Sequence, residues 1–133
     1  MHMTQEADYA VRIVYCLAQE KARRDAKFIS EKMGVSLRFS LKILRKLVAS
    51  GIVKSFKGQR GGYELAKEPI NITLNDVIET VDGPYALNRC LKNGHECSLD
   101  DSSCCAFRAV YADISSIITA KLNEITFEQM MKS

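Results

Sequence analysis

The sequence predicts a mainly helical α+β fold, in which successive helices are followed by one small β-hairpin and a long C-terminal helix. At 133 residues the chain is one domain by default. Three observations lead to this class. Apolar residues recur at helical spacing in several separate segments, and two short segments flank the glycine-rich basic tip KGQRGG, as in a hairpin. A last helical segment, residues 104–123, carries an apolar stripe.

Two helices are predicted at the N-terminus. The first covers residues 4–19, where apolar residues share one helical face, and the polar residues 20–27 end it. The second is short and covers residues 28–33. Gly34 follows it and favours a turn.

A third helix and a hairpin come next. Ser36 is a suitable N-cap for the helix, and Gly51 ends it. Residues 52–56 and 63–66 are the two predicted strands. The apolar residues that keep the helical period in the third helix, and are expected to face the core, are Leu37, Leu41, Leu44, Leu47 and Val48.

Capping residues mark the start of two further helices. Thr73 with Asp76 predicts one start, and the pair Gly83-Pro84 ends that helix. Thr126 with Gln129 predicts a capping box for the last helix of the chain.

The helix predicted for residues 104–123 carries a continuous apolar stripe. Twenty helical residues span about 30 Å, and a stripe of that length has more surface than one remaining short helix can cover. We therefore expect a dimer interface here, while packing on the chain's own core is the alternative. The residues expected in the interface are Phe107, Val110, Tyr111, Ile114, Ile117 and Ile118.

Positive charge is concentrated in one part of the chain. The net charge is only +3, but residues 36–63 contain no acidic residue. Such a distribution indicates a surface that faces a polyanion. The basic residues of this stretch are Arg38, Lys42, Arg45, Lys46, Lys54, Lys57 and Arg60.

The order helix, short helix, turn, basic helix, basic hairpin is that of a winged helix-turn-helix. The basic helix is narrow enough for the major groove of DNA, and the hairpin tip can approach a neighbouring phosphate or the minor groove. A basic face that is merely solvated is the alternative. The residues expected to contact DNA are Ser36, Arg38, Phe39, Lys42, Arg45, Lys57, Gln59, Arg60 and Gly61.

Four of the five cysteines lie in the polar stretch RCLKNGHECSLDDSSCCAF, residues 89–107. No apolar run reaches the roughly 18–20 residues of a membrane span, and the N-terminus lacks an export signal. We therefore expect a cytoplasmic protein, where metal or redox chemistry is favoured over structural disulfides. The fifth cysteine, Cys16, lies near the buried face of the first helix and is expected to be an inert thiol.

Three segments of the chain resemble successive signatures of one family. The segments EADYAVRIVYCLA, ISEKMGVSLRFSLKILRKLVASGIVKSFKGQRGGYELAK and ITLNDVIETVDGP are similar to the Rrf2 family of bacterial repressors, and the likeness covers about residues 3–125. It implies a homodimeric transcription factor whose long C-terminal helices cross between subunits. Two positions depart from the family. Arg60 adds a cation to the hairpin tip, and Ser40 stands where an aliphatic residue is usual, so looser helix packing is expected there.

The resemblance also implies an iron–sulfur cluster, either 2Fe–2S or 4Fe–4S. Cluster-binding members carry three cysteines between the fourth helix and the dimer helix, and Cys90 and Cys97 match the first two. The third match is either Cys105, favoured because Arg108 follows it by three positions, or Cys104, favoured by its spacing.

Three thiolates leave one iron position to be filled. In the nitric-oxide-sensing branch of the family, an aspartate of the other subunit fills it, and Asp8 occupies the matching position. An aspartate that only stabilises the helix N-terminus is the alternative. His95 is a second candidate, although a loop histidine is more often solvated.

Other functions stay open beside a cluster that responds to redox state, nitric oxide or iron–sulfur status. One is a cluster-free regulator on the same scaffold, gated by a metabolite or by reversible oxidation of Cys104 or Cys105. Another is a structural zinc site, although the usual Cys-x-x-Cys spacing is missing. An enzyme is not expected, because no nucleophile–base constellation is present and the chain has only two histidines.

The expected organisation has three parts. Residues 1–84 form the DNA-binding domain, residues 85–103 the cysteine-rich sensor loop, and residues 104–133 the dimerisation helix with a helical tail.

Overall fold

The computed structural model describes residues 2–92 and 106–132. It is mainly helical with one two-stranded antiparallel sheet, so the predicted fold class is confirmed. No helix in these residues is long and apolar enough to cross a membrane. In chain order the elements are α1 (Gln5–Glu20), α2 (Ala26–Met33), α3 (Leu37–Ala49), β1 (Val53–Phe56), β2 (Gly62–Leu65), α4 (Leu74–Asp82), α5 (Ala106–Glu124) and α6 (Phe127–Met131).

Helix starts follow the capping residues. The Ser36 hydroxyl accepts a hydrogen bond from the Phe39 amide, as predicted. Both expected capping boxes, at the starts of α4 and α6, are present with the predicted residues. The second helix begins two residues earlier than predicted, because Asp25 caps it by accepting from the amide of Phe28.

Helix α1 lies at the centre of the core. Its fully buried Ile13 and Val14 belong to a cluster to which every other helix except α5 contributes a buried residue. The predicted burial of Cys16 is confirmed, since its exposed fraction is zero. The buried residues from the other helices are Ala26, Ile29, Ile43, Leu44, Leu47, Val77 and Phe127.

The prediction for the buried face of α3 is partly wrong. Leu44 and Leu47 are buried and Val48 is half-buried, but Leu37 and Leu41 are 47% and 41% exposed. Ser40 is fully buried in their place, and its hydroxyl has no hydrogen-bond partner among the described residues. The helix is therefore rotated so that two leucines face outward and a serine faces the core.

The C-terminal residues return to the N-terminal part of the chain. The Phe127 amide donates to the Ile72 carbonyl at 3.0 Å, and the Leu74 amide donates to the Ile125 carbonyl at 2.9 Å. Phe127 itself is fully buried. Helix α6 thus completes the core built by residues 1–84, while the three-part organisation stays a prediction.

Candidate nucleic-acid interface and cysteine segment

A tight turn fixes the angle between α2 and α3. Gly34 ends α2 in the left-handed conformation, with φ at 68°, which favours glycine. Val35 is buried, and its amide donates to the Ser30 carbonyl at 3.1 Å. Ser36 then caps α3. This turn presents one face of α3 to the outside while the opposite face packs on α1 and α2.

The outward face of α3 carries a cationic stripe. Arg38, Lys42 and Arg45 are exposed and lie at the spacing of one helical face. Within the described part of the chain, Arg38 and Arg45 have no ion pair or hydrogen bond from their side chains. Lys42 Nζ lies 4.0 Å from a Glu6 carboxylate oxygen. Most of this charge is therefore available to an external polyanion.

Lys46 does not belong to that stripe. Its Nζ lies 2.7 Å from Glu6 Oε1 on α1, and it thereby links α1 to α3. The sequence places Lys46 among the basic residues of the stretch expected to face a polyanion, but it does not reveal a partner 40 positions away. Among the described residues, Arg38 and Arg45 are the cations of this helix without an ion pair, while Lys42 lies 4.0 Å from Glu6 and stays exposed.

Phe39 occupies the border between the exposed face and α1. Its ring packs edge-to-face against Tyr9, with centroids 5.9 Å apart. Lys42 Nζ lies 5.7 Å from the centroid of the same ring. Phe39 is thus held in place while 39% of it stays exposed.

The hairpin tip places three more predicted residues at the surface. Lys57, Gln59 and Arg60 are exposed, and the Gly61 amide donates to the Gly58 carbonyl at 2.9 Å to close the turn. A Cβ at Gly61 would lie 2.8 Å from two backbone oxygens. The tip therefore requires glycine at this position.

Residues before α2 pair with the hairpin, which the sequence did not reveal. The Arg24 amide donates to the Tyr63 carbonyl at 2.9 Å, and the Tyr63 amide donates back at 2.7 Å. Close approach is possible because Gly62 lacks a Cβ, which would lie 2.7 Å from the Arg24 oxygen. These two hydrogen bonds attach the hairpin to the helical core.

Arg23 contacts the hairpin tip and stabilises it. Its Nη1 donates to the Arg60 carbonyl at 2.9 Å, and its guanidinium carbon lies 3.3 Å from the centroid of the Phe56 ring. A planar cation stacked on an aromatic ring limits the motion of both. In the sequence Arg23 lies in a polar stretch without a motif, so no local signal identifies it.

An Arg23→Ala variant should bind duplex DNA about threefold to tenfold more weakly, since a stacked cation and one hydrogen bond are lost. Amide hydrogen exchange at residues 57–61 should become faster, because the tip loses its brace. Arg23→Lys is the matched control. Lysine keeps the charge but cannot stack as a planar group on Phe56, so Arg23→Lys should stay weaker than the wild type. A DNA affinity equal to that of the wild type would mean that Arg23 acts through charge alone.

Cys90 lies at the beginning of the cysteine segment, in a single turn of 3₁₀ helix (Arg89–Leu91). Its thiol is half-buried and not in a disulfide. Arg108 Nε donates to the Cys90 carbonyl at 3.4 Å, so the start of the segment lies next to the first turn of α5. Cys97, Cys104 and Cys105 lie outside the described residues.

The residues just before Cys90 are attached to α5 as well. The Leu87 amide donates to Ser115 Oγ at 2.9 Å, and that hydroxyl donates to the Tyr111 carbonyl at 2.8 Å. Ser115 is buried. The approach to Cys90 therefore has a fixed position against the predicted dimer helix.

Asp8 lies in the first turn of α1, where it accepts a hydrogen bond from Arg12 Nη2 at 2.9 Å. Its side chain is 47% exposed. Among residues 2–92 and 106–132, no three His, Cys, Asp or Glu side chains are grouped so that they could hold a metal ion. Asp8 and Cys90 are the two predicted ligands that the structure describes.

Cys16 differs from the other cysteines in chemistry. Burial raises the pKa of its thiol, and the nearby Glu20 carboxylate adds to the effect. A thiol that resists deprotonation is a poor nucleophile and a poor metal ligand. Cys16 is therefore not among the candidate ligands or reactive thiols.

One side of α5 is exposed. Phe107 and Ile117 are 66% and 61% exposed, and Val110 and Ile114 are exposed as well. Tyr111 and Ile118 are half-buried towards the chain's own residues. Packing within the chain therefore covers only part of the predicted stripe.

Comparison with known proteins gives one consistent result. The sequence matches the Rrf2 family, described as an iron-dependent transcriptional regulator, over residues 3–133. It is 31% identical to an rrf2-like HTH-type transcriptional regulator of Rhodobacter capsulatus, covering 97% of this chain and 91% of the other. It is also 31% identical to the HTH-type transcriptional regulator IscR of Escherichia coli, covering 100% and 82%.

Two solved structures have the same fold over nearly the whole chain. IscR of T. potens is 26% identical with a TM-score of 0.77, covering 99% of this chain and 87% of the other. CymR, the global cysteine regulator of B. subtilis, is 25% identical with a TM-score of 0.78, covering 98% and 95%.

Proposed function

The chain belongs to the Rrf2 family of transcriptional regulators, and we propose that it is a homodimeric repressor whose binding to promoter DNA is controlled by an iron–sulfur cluster. Its relatives are regulators and not enzymes. The observation that carries the proposal is the exposed row of cations Arg38, Lys42 and Arg45 on the outward face of α3.

The DNA-binding part rests on charge and shape. Arg38, Lys42 and Arg45 lie on one exposed helical face, and the hairpin tip adds Lys57 and Arg60. A helix enters the major groove while a wing contacts the adjacent backbone. Ser36, Phe39, Gln59 and Gly61 complete the proposed contact set.

The dimer rests on the exposed side of α5. Four large apolar side chains in a row are unusual on the surface of a protein that stays monomeric. A second copy of the chain would cover them through the same helix, since a two-fold interface uses one surface twice. Two α3 helices held this way would contact half-sites about one turn of DNA apart.

The cluster rests on the donor chemistry of the cysteine segment. Cys90 is an unpaired, accessible thiol held near α5, and soft thiolates are the ligands that iron–sulfur clusters use. We propose Cys90, Cys97 and either Cys105 or Cys104 as ligands, with Asp8 of the partner subunit as the fourth. When bound, the cluster supplies a redox-sensitive group beside the dimer helix. Arg12 contacts Oδ2 of Asp8, so Oδ1 is the oxygen that could act as a ligand while this ion pair persists.

A thiol-gated regulator without a cluster is the second candidate. The unpaired thiol of Cys90 and the similarity to CymR favour it. Both candidates need the same DNA surface but differ in whether the purified protein contains iron.

The DNA surface is tested by an Arg45→Ala variant. We expect its affinity for a duplex selected with the wild-type protein to fall about fivefold to tenfold, and the slope of affinity against salt concentration to decrease by about 1 per bound subunit. Both follow from the loss of one contact to DNA, and fluorescence anisotropy at several salt concentrations measures them.

Lys121→Ala is the matched control, because it removes an exposed cation of α5 that lies outside the proposed DNA surface. Equal affinities and salt slopes for Arg45→Ala and the wild type would contradict the assignment of α3.

A further inference from the structure

Two leucines lie exposed on the outward face of α3. Leu37 and Leu41 are 47% and 41% exposed, although both lie in a helix whose other leucines are buried. They are four residues apart and therefore lie on the same side, one turn above the other.

The leucines run beside the cationic stripe. Each is followed directly by a cation, Arg38 after Leu37 and Lys42 after Leu41. Together with Arg45 and Phe39 these side chains line an open groove of about 860 Å³. One helix face therefore has an apolar stripe and a cationic stripe side by side.

Charge decides what can occupy this groove. A second copy of the chain using the same face would place Arg38, Lys42 and Arg45 against their own counterparts, which like-charge repulsion opposes. A DNA duplex supplies the opposite charge. Its phosphates match the cationic stripe, and the base edges in the major groove then lie against the leucines.

The bases offer one group that suits a leucine. The 5-methyl of thymine is the apolar group among the base-edge atoms of the major groove, whereas the other positions are hydrogen-bond donors or acceptors. Helix α3 contains no Asp or Glu, so it has no carboxylate to accept from the amino group of cytosine. We infer that Leu37 and Leu41 are specificity-determining residues that read thymine methyl groups in each operator half-site.

This assignment rests on the proposed function, because it needs α3 in the major groove. It gives the leucines and the cations separate tasks. Arg38, Lys42 and Arg45 supply affinity for any duplex, and the leucines select thymine over cytosine at two positions of each half-site.

The test begins with selection of bound duplexes from a random-sequence library by the wild-type protein. Each thymine of the selected duplex is then replaced, one at a time, by deoxyuridine, which differs only in lacking the 5-methyl. We expect the wild-type affinity to fall about fourfold at a thymine that a leucine contacts. Leu41→Ala removes the contact in both half-sites of the dimer, so it should bind the thymine duplex about 16-fold more weakly and lose its sensitivity to deoxyuridine at the matching position of each half-site. Leu37→Ala should do the same at a different position.

Arg45→Ala is the control for general weakening. It should bind less tightly but keep the full sensitivity to deoxyuridine. Because both leucines are exposed, their replacement by alanine should leave the melting temperature nearly unchanged, and this is measured first.

The outcomes separate the inference from the proposed function. If the wild type bound no duplex, or bound duplexes with an affinity that does not depend on salt, both the inference and the proposed function would be overturned. Binding that is equally strong with thymine and deoxyuridine at every position would overturn only the inference. So would a change of oligomeric state in Leu41→Ala, since the leucine would then face protein.

Discussion

An Ile117→Glu substitution is expected to produce a monomer that binds the operator at least about 100-fold more weakly than the wild type, because two linked DNA-binding units gain that much from acting together. Ile117 is 61% exposed in the single chain and lies in the apolar stripe of α5. A carboxylate that dimerisation would bury without a partner opposes assembly, and the two-fold axis doubles the effect. Sedimentation velocity and anisotropy measure the two expectations.

Ser116→Glu is the matched control for this substitution. Ser116 is exposed, and its replacement by glutamate adds the same charge one residue away from Ile117. That position lies about 100° around the helix. It should leave the dimer and the affinity nearly unchanged. A stable Ile117→Glu dimer would place the interface elsewhere, and a monomer with unchanged affinity would mean that DNA binding does not need two linked subunits.

Local signals were sufficient to predict most elements of the fold. The caps at Ser36, Thr73 and Thr126 depend on residues within three positions, so the sequence contains the whole interaction. The hairpin is equally local, since its glycine-rich tip joins two adjacent strands. Such features are predictable because donor and acceptor are neighbours along the chain.

Contacts between distant segments were not predictable in the same way. Helical period alone does not decide which side of α3 faces the core, and it wrongly predicts that Leu37 and Leu41 are buried. The ion pair between Lys46 and Glu6 and the stacking of Arg23 on Phe56 join separate elements. These contacts determine which cations stay free for DNA, and they depend on packing that no single segment encodes.

For the candidate cluster site, too, the sequence supplies some of the information and the structure supplies the rest. The clustering of four cysteines is visible in the sequence, and the family resemblance implies which of them, with Asp8, would be ligands. The structure adds that Cys90 is unpaired beside α5 and that Asp8 is bound to Arg12. The choice between Cys104 and Cys105 stays a prediction.

A Cys90→Ser variant purified without oxygen is expected to contain at least about tenfold less iron than the wild type, because loss of a ligand weakens a metal site by that much or more. The wild type should be coloured, with visible absorbance from thiolate-to-iron charge transfer, and the variant should be nearly colourless. A serine hydroxyl is harder than a thiolate and stays protonated near neutral pH, so it is a poor substitute ligand. Iron content per protomer and the absorption spectrum measure both expectations, and operator affinity is measured on the same samples.

Cys16→Ala is the matched control, since Cys16 is fully buried in the hydrophobic core and burial raises the pKa of its thiol. It should keep both colour and iron. Cys104→Ser and Cys105→Ser, compared with each other, identify the third ligand by which one loses iron, and Asp8→Ala should shorten the lifetime of the cluster in air. A colourless wild type that binds DNA with full affinity would contradict cluster control. If its binding then responded to an oxidant and Cys90→Ser removed that response, the thiol-gated function would replace it.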